Sequence, residues 1–235
     1  MSGWTPKRFW TAAEPAEVEG GFTVLLDGRR VKTPAKAALT VPTRALAEAI
    51  AAEWRAQGEK IDPTTMPFTR SANAAIDKVA PQFDEVAEMI AAYGDSDLIC
   101  YRADQPQALV ERQAAAWDPL MDWAATTLGA PLQARVGVMH RPQSRESLAA
   151  LAGQVGALTP FQLTALHDLV TLSGSLVIGL AAFRGLHAAD ELWRRSRIDE
   201  TWQAEVWGAD EEASQTEAIK RSAFLHASAF LATLR

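Results

Sequence analysis

Between residues 22 and 41 the apolar positions follow a strand pattern. Phe22–Leu26 (FTVLL) and Arg29–Thr33 flank Asp27-Gly28. An Asp-Gly pair between two β-prone runs predicts a two-residue hairpin, because a type I′ turn needs positive φ at both central residues. Pro34 ends the second run, and Ala38–Val41 is the expected third strand of a small antiparallel sheet. The period then lengthens to that of a helix. Thr43 suits the N-cap of a helix carrying Leu46, Ile50 and Trp54 at spacing four, and Gly58 suits its C-terminal end. Pro63 and Pro67 mark a loop, and Ser71–Val79 reads as a short helix. Phe83, Val86, Ile90 and Tyr93 form the apolar face of another helix, closed by Gly94.

From about residue 106 the pattern is helical throughout. Val110, Ala114, Trp117, Met121, Ala124 and Leu128 share one face, interrupted by Asp118-Pro119, which either kinks the helix or starts a new one. Leu132–Met139 reads as an extended connector. Helices follow over 144–158, from Thr159-Pro160 onward, over 175–184, over 188–207 and over 210–234. Ile219, Ala223, Ala227, Phe230 and Leu234 form a core stripe in the last of these. The expected class is α+β. Residues 1–105 form an N-terminal domain of sheet and helices, and residues 106–235 an all-helical C-terminal domain.

Composition narrows the function more than the fold. The net charge is −6, and residues 1–105 carry 12 basic against 15 acidic side chains. No basic face suggests nucleic acid, and no polybasic anchor suggests a membrane surface. The uncharged apolar stretch Leu169–Phe183 is shorter than the roughly 20 residues of a membrane span and reads as a buried helix. A single cysteine, Cys100, allows no disulfide within the chain and no cysteine-based zinc site.

No enzyme constellation emerges. No glycine-rich phosphate loop is present, and the four histidines form no metal-ligand pair at helical spacing. Cys100 reads as a buried, inert thiol and His167 as a hydrogen-bonded boundary histidine. Asp95 and Asp97 after Gly94 read as ordinary loop chemistry. The small residues Ser173-Gly174-Ser175 are expected where helices approach closely. Cofactors and metals are therefore not expected. A polar group around Arg70, Asn73, Asp77 and Arg102 is the alternative, a fold-assembled small-molecule site. A structural hydrogen-bond and ion-pair network is the favoured reading of it.

Two features of residues 188–217 stand apart. Seven carboxylates lie between Asp199 and Glu217 with no basic residue among them. A solvated helix face would account for these alone, with Asp210, Glu211 and Glu212 favoured at a helix start. The chain also holds eight tryptophans against two tyrosines. On one helix, Ile198, Trp202 and Val206 share a face while Trp193 and Trp207 lie opposite. A helix apolar on both sides needs a second layer or a partner. Trp54, between Glu53 and Arg55 at a helix end, poses the same question, while Trp4 and Trp10 sit in an unassigned N-terminal arm.

Short stretches spread from residue 27 to 208 then carry a resemblance. They are Asp27–Pro34 (DGRRVKTP), Leu39–Pro42 (LTVP), Glu53-Trp54, Met66–Asn73 (MPFTRSAN) and Ala75–Asp77 (AID). Asp97–Arg102 (DLICYR), Trp117–Pro119 (WDP), Ser173–Val177 (SGSLV), Asp199–Gln203 (DETWQ) and Trp207-Gly208 follow in order. Together they resemble the ATP synthase assembly chaperones that handle the alpha subunit of the catalytic sector. The resemblance implies a non-enzymatic holdase that binds unassembled alpha subunit and shields the surface the beta subunit later occupies. The family's functionally important acidic position matches Asp199-Glu200, with Glu200 favoured. The expected partner-binding residues are Glu200, Asp199, Trp202, Glu205, Trp207, Trp193 and Trp54. The free protein is expected to be a monomer that neither binds nucleic acid nor inserts into a membrane. Eukaryotic relatives carry a mitochondrial targeting segment. None is evident here, so a bacterial cytoplasmic protein is expected.

Overall fold

The hairpin forms where Asp27-Gly28 places it, with φ of 45° and 80° at the two residues. The computed structural model describes residues 7–235, so Trp4 lies outside the described residues. The chain divides into two compact units. One takes the chain up to Phe83 with Thr159–Thr164 and Ala229–Arg235, and the other takes Asp84–Leu158 and Ala165–Ser228. The architecture is α+β.

In the first unit, β1 (Ala13–Val18), β2 (Gly21–Leu26) and β3 (Arg29–Arg30) form an antiparallel sheet in the order β1-β2-β3. Ala13 stands opposite Leu26, and Leu25 opposite Arg30. The sequence pattern does not announce β1, whose Pro15 is tolerated because the strand lies at the sheet edge. Ala38–Val41, expected as a full strand, joins only through single pairings of Ala38 with Lys32 and Val41 with Phe22. The segment before it closes a turn on itself instead, Thr33 N donating to Ala37 O at 3.0 Å.

Helix α1 (Arg44–Arg55) packs its buried Leu46, Ala47, Ile50 and Ala51 against β1 and β2. The hydroxyl of Thr43 accepts from Leu46 N, as expected of an N-cap, and donates to Thr233 O. The helix stops at Ala56 rather than Gly58. Helix α2 (Pro67–Ala74) begins four residues before the expected Ser71. The cause is Glu53 of α1, whose carboxylate accepts from Phe68 N at 2.6 Å, Thr69 N at 2.8 Å and Thr69 Oγ1 at 2.7 Å. It supplies the cap that α2 lacks locally. Burial raises the pKa of Glu53, and these bonds pull it back. A π turn over Ala75–Val79 follows α2.

The other elements are α3 (Phe83–Ala91), β4 (Tyr101–Arg102), α4 (Gln107–Thr127), β5 (Arg135–Val136), α5 (Arg145–Gly156) and α6 (Pro160–Ser173). They continue with α7 (Leu176–Arg184), α8 (Ala189–Arg195), α9 (Ile198–Trp207) and α10 (Glu211–Ala232). Residues 160–164 of α6 and 229–232 of α10 belong to the first unit. Two-residue strands β4 and β5 pair in parallel. Helix α4 runs on through Pro119, and just before it the carbonyl of Ala116 accepts from Arg195 Nη1 at 3.2 Å.

Helix α7 is the centre of the second unit, buried from Leu176 to Ala182. A Cβ at Gly179 would lie 2.5 Å from Val170 Cγ2, so only glycine allows α6 and α7 to come this close. Ser175 caps α7 through Ile178 N, and a second cap arrives from far away in sequence. Asp97 is completely buried; it accepts from Ile99 N at 3.2 Å and Val177 N at 3.0 Å, and from the Ser175 hydroxyl. It is therefore a structural tie and not loop chemistry. Burial lifts its pKa to about 6 despite these bonds. The neighbouring Cys100 thiol is pushed up to about 12, by burial first and by Asp97 second, which leaves it unreactive. No described helix is long and apolar enough to cross a membrane.

Candidate partner-binding site

The helix expected over 188–207 is two helices, and that decides where the tryptophans go. Ser196 ends α8: its N–H reaches both Leu192 O and Trp193 O, and its buried hydroxyl donates to Trp193 O at 2.7 Å. Trp193 therefore lies on α8, is only 1% exposed, and packs on Phe224 of α10 with ring centroids 5.5 Å apart. The Arg197 guanidinium covers it at 5.0 Å while donating to Ser173 O. Trp193 is a core residue, which corrects its assignment to a face opposite Trp202.

Helix α9 has no buried residue. One face is pinned to α4 by polar contacts. Gln113 Nε2 donates to Asp199 at 2.7 Å, and Arg112 lies 5.0 Å over the Trp202 ring while pairing with Glu205 at 2.8 Å. Trp202 is half-buried under that guanidinium. Glu200 is exposed and, among the described residues, pairs with Arg197 at 2.8 Å. Gly208 (φ 90°) ends α9, and Asp210 starts α10 by accepting from Ala213 N at 2.7 Å. The carboxylates Asp199, Glu200, Glu211 and Glu212 occupy the first turns of the two helices, where the helix dipole favours them.

Every residue from 203 to 222 is exposed. Twenty consecutive residues of helix, turn and helix thus rest on no core, yet three of them are large and apolar. Val206 is 54% exposed, Trp207 78% and Ile219 72%. Ile219 was expected in a core stripe, but it is the only large apolar residue between Glu211 and Ser222, too few to make one. A cleft of about 500 Å³ opens along α9, the turn and α10. Its walls carry Glu200, Asp210, Glu212 and Glu217 against Arg197 and Lys220, with Ala204, Ala209 and Ala213 between. The surface thus combines exposed aromatic and aliphatic side chains with a mostly acidic rim.

The structure thus brings Asp199, Glu200, Trp202, Glu205 and Trp207 together on α9 and removes Trp193 to the core. Trp54 belongs to the first unit. It is half-buried, stacked edge-on against Trp10 at 5.0 Å, and its carbonyl accepts from Trp10 Nε1. Val206 and Ile219 join the exposed surface unannounced.

Of the polar group of the alternative reading, Arg70, Asn73 and Asp77 belong to the first unit and Arg102 to the second. Arg102, in the second unit, pairs with Asp118 at 2.8 Å, donates to Ile99 O and covers the Trp117 ring at 5.2 Å. Arg70 and Asn73 lie on α2 and Asp77 in the π turn that follows it, where Asp77 Oδ2 accepts from Ala35 N at 3.0 Å. His167 contacts Asp168 at 2.9 Å at the surface. Among the described residues no three potential ligands gather to hold a metal.

Residues 7–125 match the ATP12 chaperone protein family, slightly more than half of the chain. The chain belongs to the ATP12 chaperone family. The short stretches that carried the resemblance to ATP synthase assembly chaperones thus rest on a shared family. The crystal structure of Atp12 from Paracoccus denitrificans is 54% identical, with a TM-score of 0.95 over 97% of this chain and 98% of that one. An aspartate-to-lysine mutant of the P. denitrificans Atp12p is equally similar, at 53% identity and a TM-score of 0.96 over the same shares. The mitochondrial protein atp12 of Schizosaccharomyces pombe is 24% identical over 221 residues, 89% of this chain and 76% of the yeast protein. The ATP12 match spans all of the first unit's sheet and ends within α4, whereas the two crystal structures extend the likeness over almost the whole chain, including the α9–α10 arm.

Proposed function

We propose that this ATP12-family chaperone binds the unassembled alpha subunit of F-type ATP synthase through the α9–α10 arm and shields its subunit interface until the beta subunit arrives. The observation that carries this reading is the unbroken exposure of residues 203–222 around Trp207, in a chain of this family. An unpaired subunit exposes apolar surface that drives aggregation. A holdase must cover that surface and then give it up. Exposed tryptophan and aliphatic anchors supply affinity, and the surrounding carboxylates supply selectivity and an exchangeable rim. The protein acts by binding, not catalysis, as a monomer in a bacterial cytoplasm. The bacterial origin of the P. denitrificans structures supports that setting.

Size-exclusion chromatography with purified alpha subunit alone should give a one-to-one complex at micromolar concentrations, and the absence of any complex would sink the proposal. Glu200→Lys should weaken that complex at least tenfold while circular dichroism and melting temperature stay unchanged. Glu200 is exposed, and its surface ion pair with Arg197 is worth at most about 1 kcal/mol. Unchanged affinity would remove Glu200 from the site.

A further inference from the structure

A second exposed apolar patch lies outside the arm. Residues 123–145 contain no Asp or Glu in a chain of net charge −6, yet hold Arg135, His140, Arg141 and Arg145. Within this stretch Val136 is 67% exposed, Val138 89% and Met139 78%. Three large apolar side chains left in water within four residues form a patch of the kind that marks an interaction site.

The loop that presents them is built. Gly137 N donates to Arg102 O at 2.9 Å beside the β4–β5 pairing, and Arg135 Nη2 ties the neck by donating to Pro142 O at 2.7 Å. The Gln143 side chain spans both backbone groups of Gln133, at 2.8 and 3.0 Å. Asp95 accepts from Gln143 N at 2.7 Å and contacts His140 Nε2 at 3.0 Å. A loop held at its neck and flank has met much of its ordering cost before anything binds. Its tip, Val138 and Met139, stays free for a partner, and Arg141 beside it is exposed.

We propose that Val136–Arg141 is a second client contact, which takes a segment carrying carboxylates beside apolar side chains. The charge is the argument: apolar contacts alone would accept many partners, whereas the exposed Arg141 beside the tip, in a stretch with no carboxylate from 123 to 145, favours an acidic one. The α9–α10 arm has the opposite sign, so the two surfaces would read different parts of one client and bind it bivalently.

The first test uses ATP synthase alpha subunit and rests on the reading above. The double variant Val138→Glu/Met139→Glu, and separately Arg141→Glu, should each weaken the complex at least tenfold with the melting temperature unchanged. Binding within twofold of the native protein by both variants would overturn this proposal and leave the arm's role standing. If the native protein itself fails to bind alpha subunit, the reading of the partner falls and a second probe decides this one. That probe is a ten-residue peptide of alternating valine and glutamate, titrated into the isotope-labelled protein. Amide resonances of Val136–Arg141 should shift with it and not with a valine–lysine peptide. Equal response to both peptides, no response to either, or shifts at these residues only with phosphatidylglycerol vesicles would overturn the proposal.

Discussion

Asp97→Ala is expected to lower the unfolding free energy by about 3 kcal/mol, because it leaves the amides of Ile99 and Val177 and the Ser175 hydroxyl without their buried acceptor. The same carboxyl sets a pH dependence. Its folded pKa of about 6 lies above the ordinary 3.8, so its contribution is fully present below about pH 4 and is lost as pH rises through 6. At about 1.4 kcal/mol per unit the loss is on the order of 3 kcal/mol. Urea unfolding of the native protein and of Asp97→Asn, followed across this range, isolates the effect, since asparagine cannot ionise. The native protein should lose stability relative to the variant between about pH 4 and 7 and run parallel to it above. Parallel behaviour throughout would mean that the carboxyl stays charged in its buried seat.

Trp193→Ala and Trp207→Ala are expected to part company. Trp193 is enclosed by Phe224 and Arg197, and its removal should cost about 3–5 kcal/mol as an unfilled cavity. Trp207, 78% exposed, should change stability by no more than about 0.5 kcal/mol. Affinity for alpha subunit should invert the order: loss of the Trp207 anchor weakens the complex by about 2 kcal/mol, roughly thirtyfold. Denaturant midpoints and titration calorimetry on the two variants measure both quantities. A stable Trp193→Ala protein, or a Trp207→Ala protein that binds normally, would contradict the division of roles.

Local chemistry was legible in the sequence and long-range partnership was not. Asp27-Gly28 announced the hairpin because both φ values are demanded by two adjacent residues. Thr43 announced α1 for the same reason. Glu53 and Asp97 are also caps, but the helices they serve begin 14 and 79 residues later, so nothing beside them marks the duty. Asp97 therefore looked like a loop residue and α2 seemed to start late. The break at Ser196 was hidden because serine neither favours nor forbids a helix there, and its buried hydroxyl bond closes the turn only in three dimensions. That break alone moved Trp193 from the candidate site to the core. Ile219 erred in the other direction. A spacing argument placed it on a stripe, although the twelve residues from Glu211 to Ser222 offer no second large apolar side chain to share a core with it. The acidic run was legible as a solvated segment, since seven carboxylates without an intervening base cannot be buried together, and Trp207 lies exposed within it.

The central claim, that the α9–α10 arm is where the client sits, is tested most directly by hydrogen exchange of the protein with and without purified alpha subunit. Amides of residues 203–222 rest on no core in the free protein and should exchange fastest among the helices of the second unit. On complex formation their exchange should slow at least tenfold, while α7, already buried, stays unchanged. A complex that forms with the arm's exchange unaltered would contradict the account.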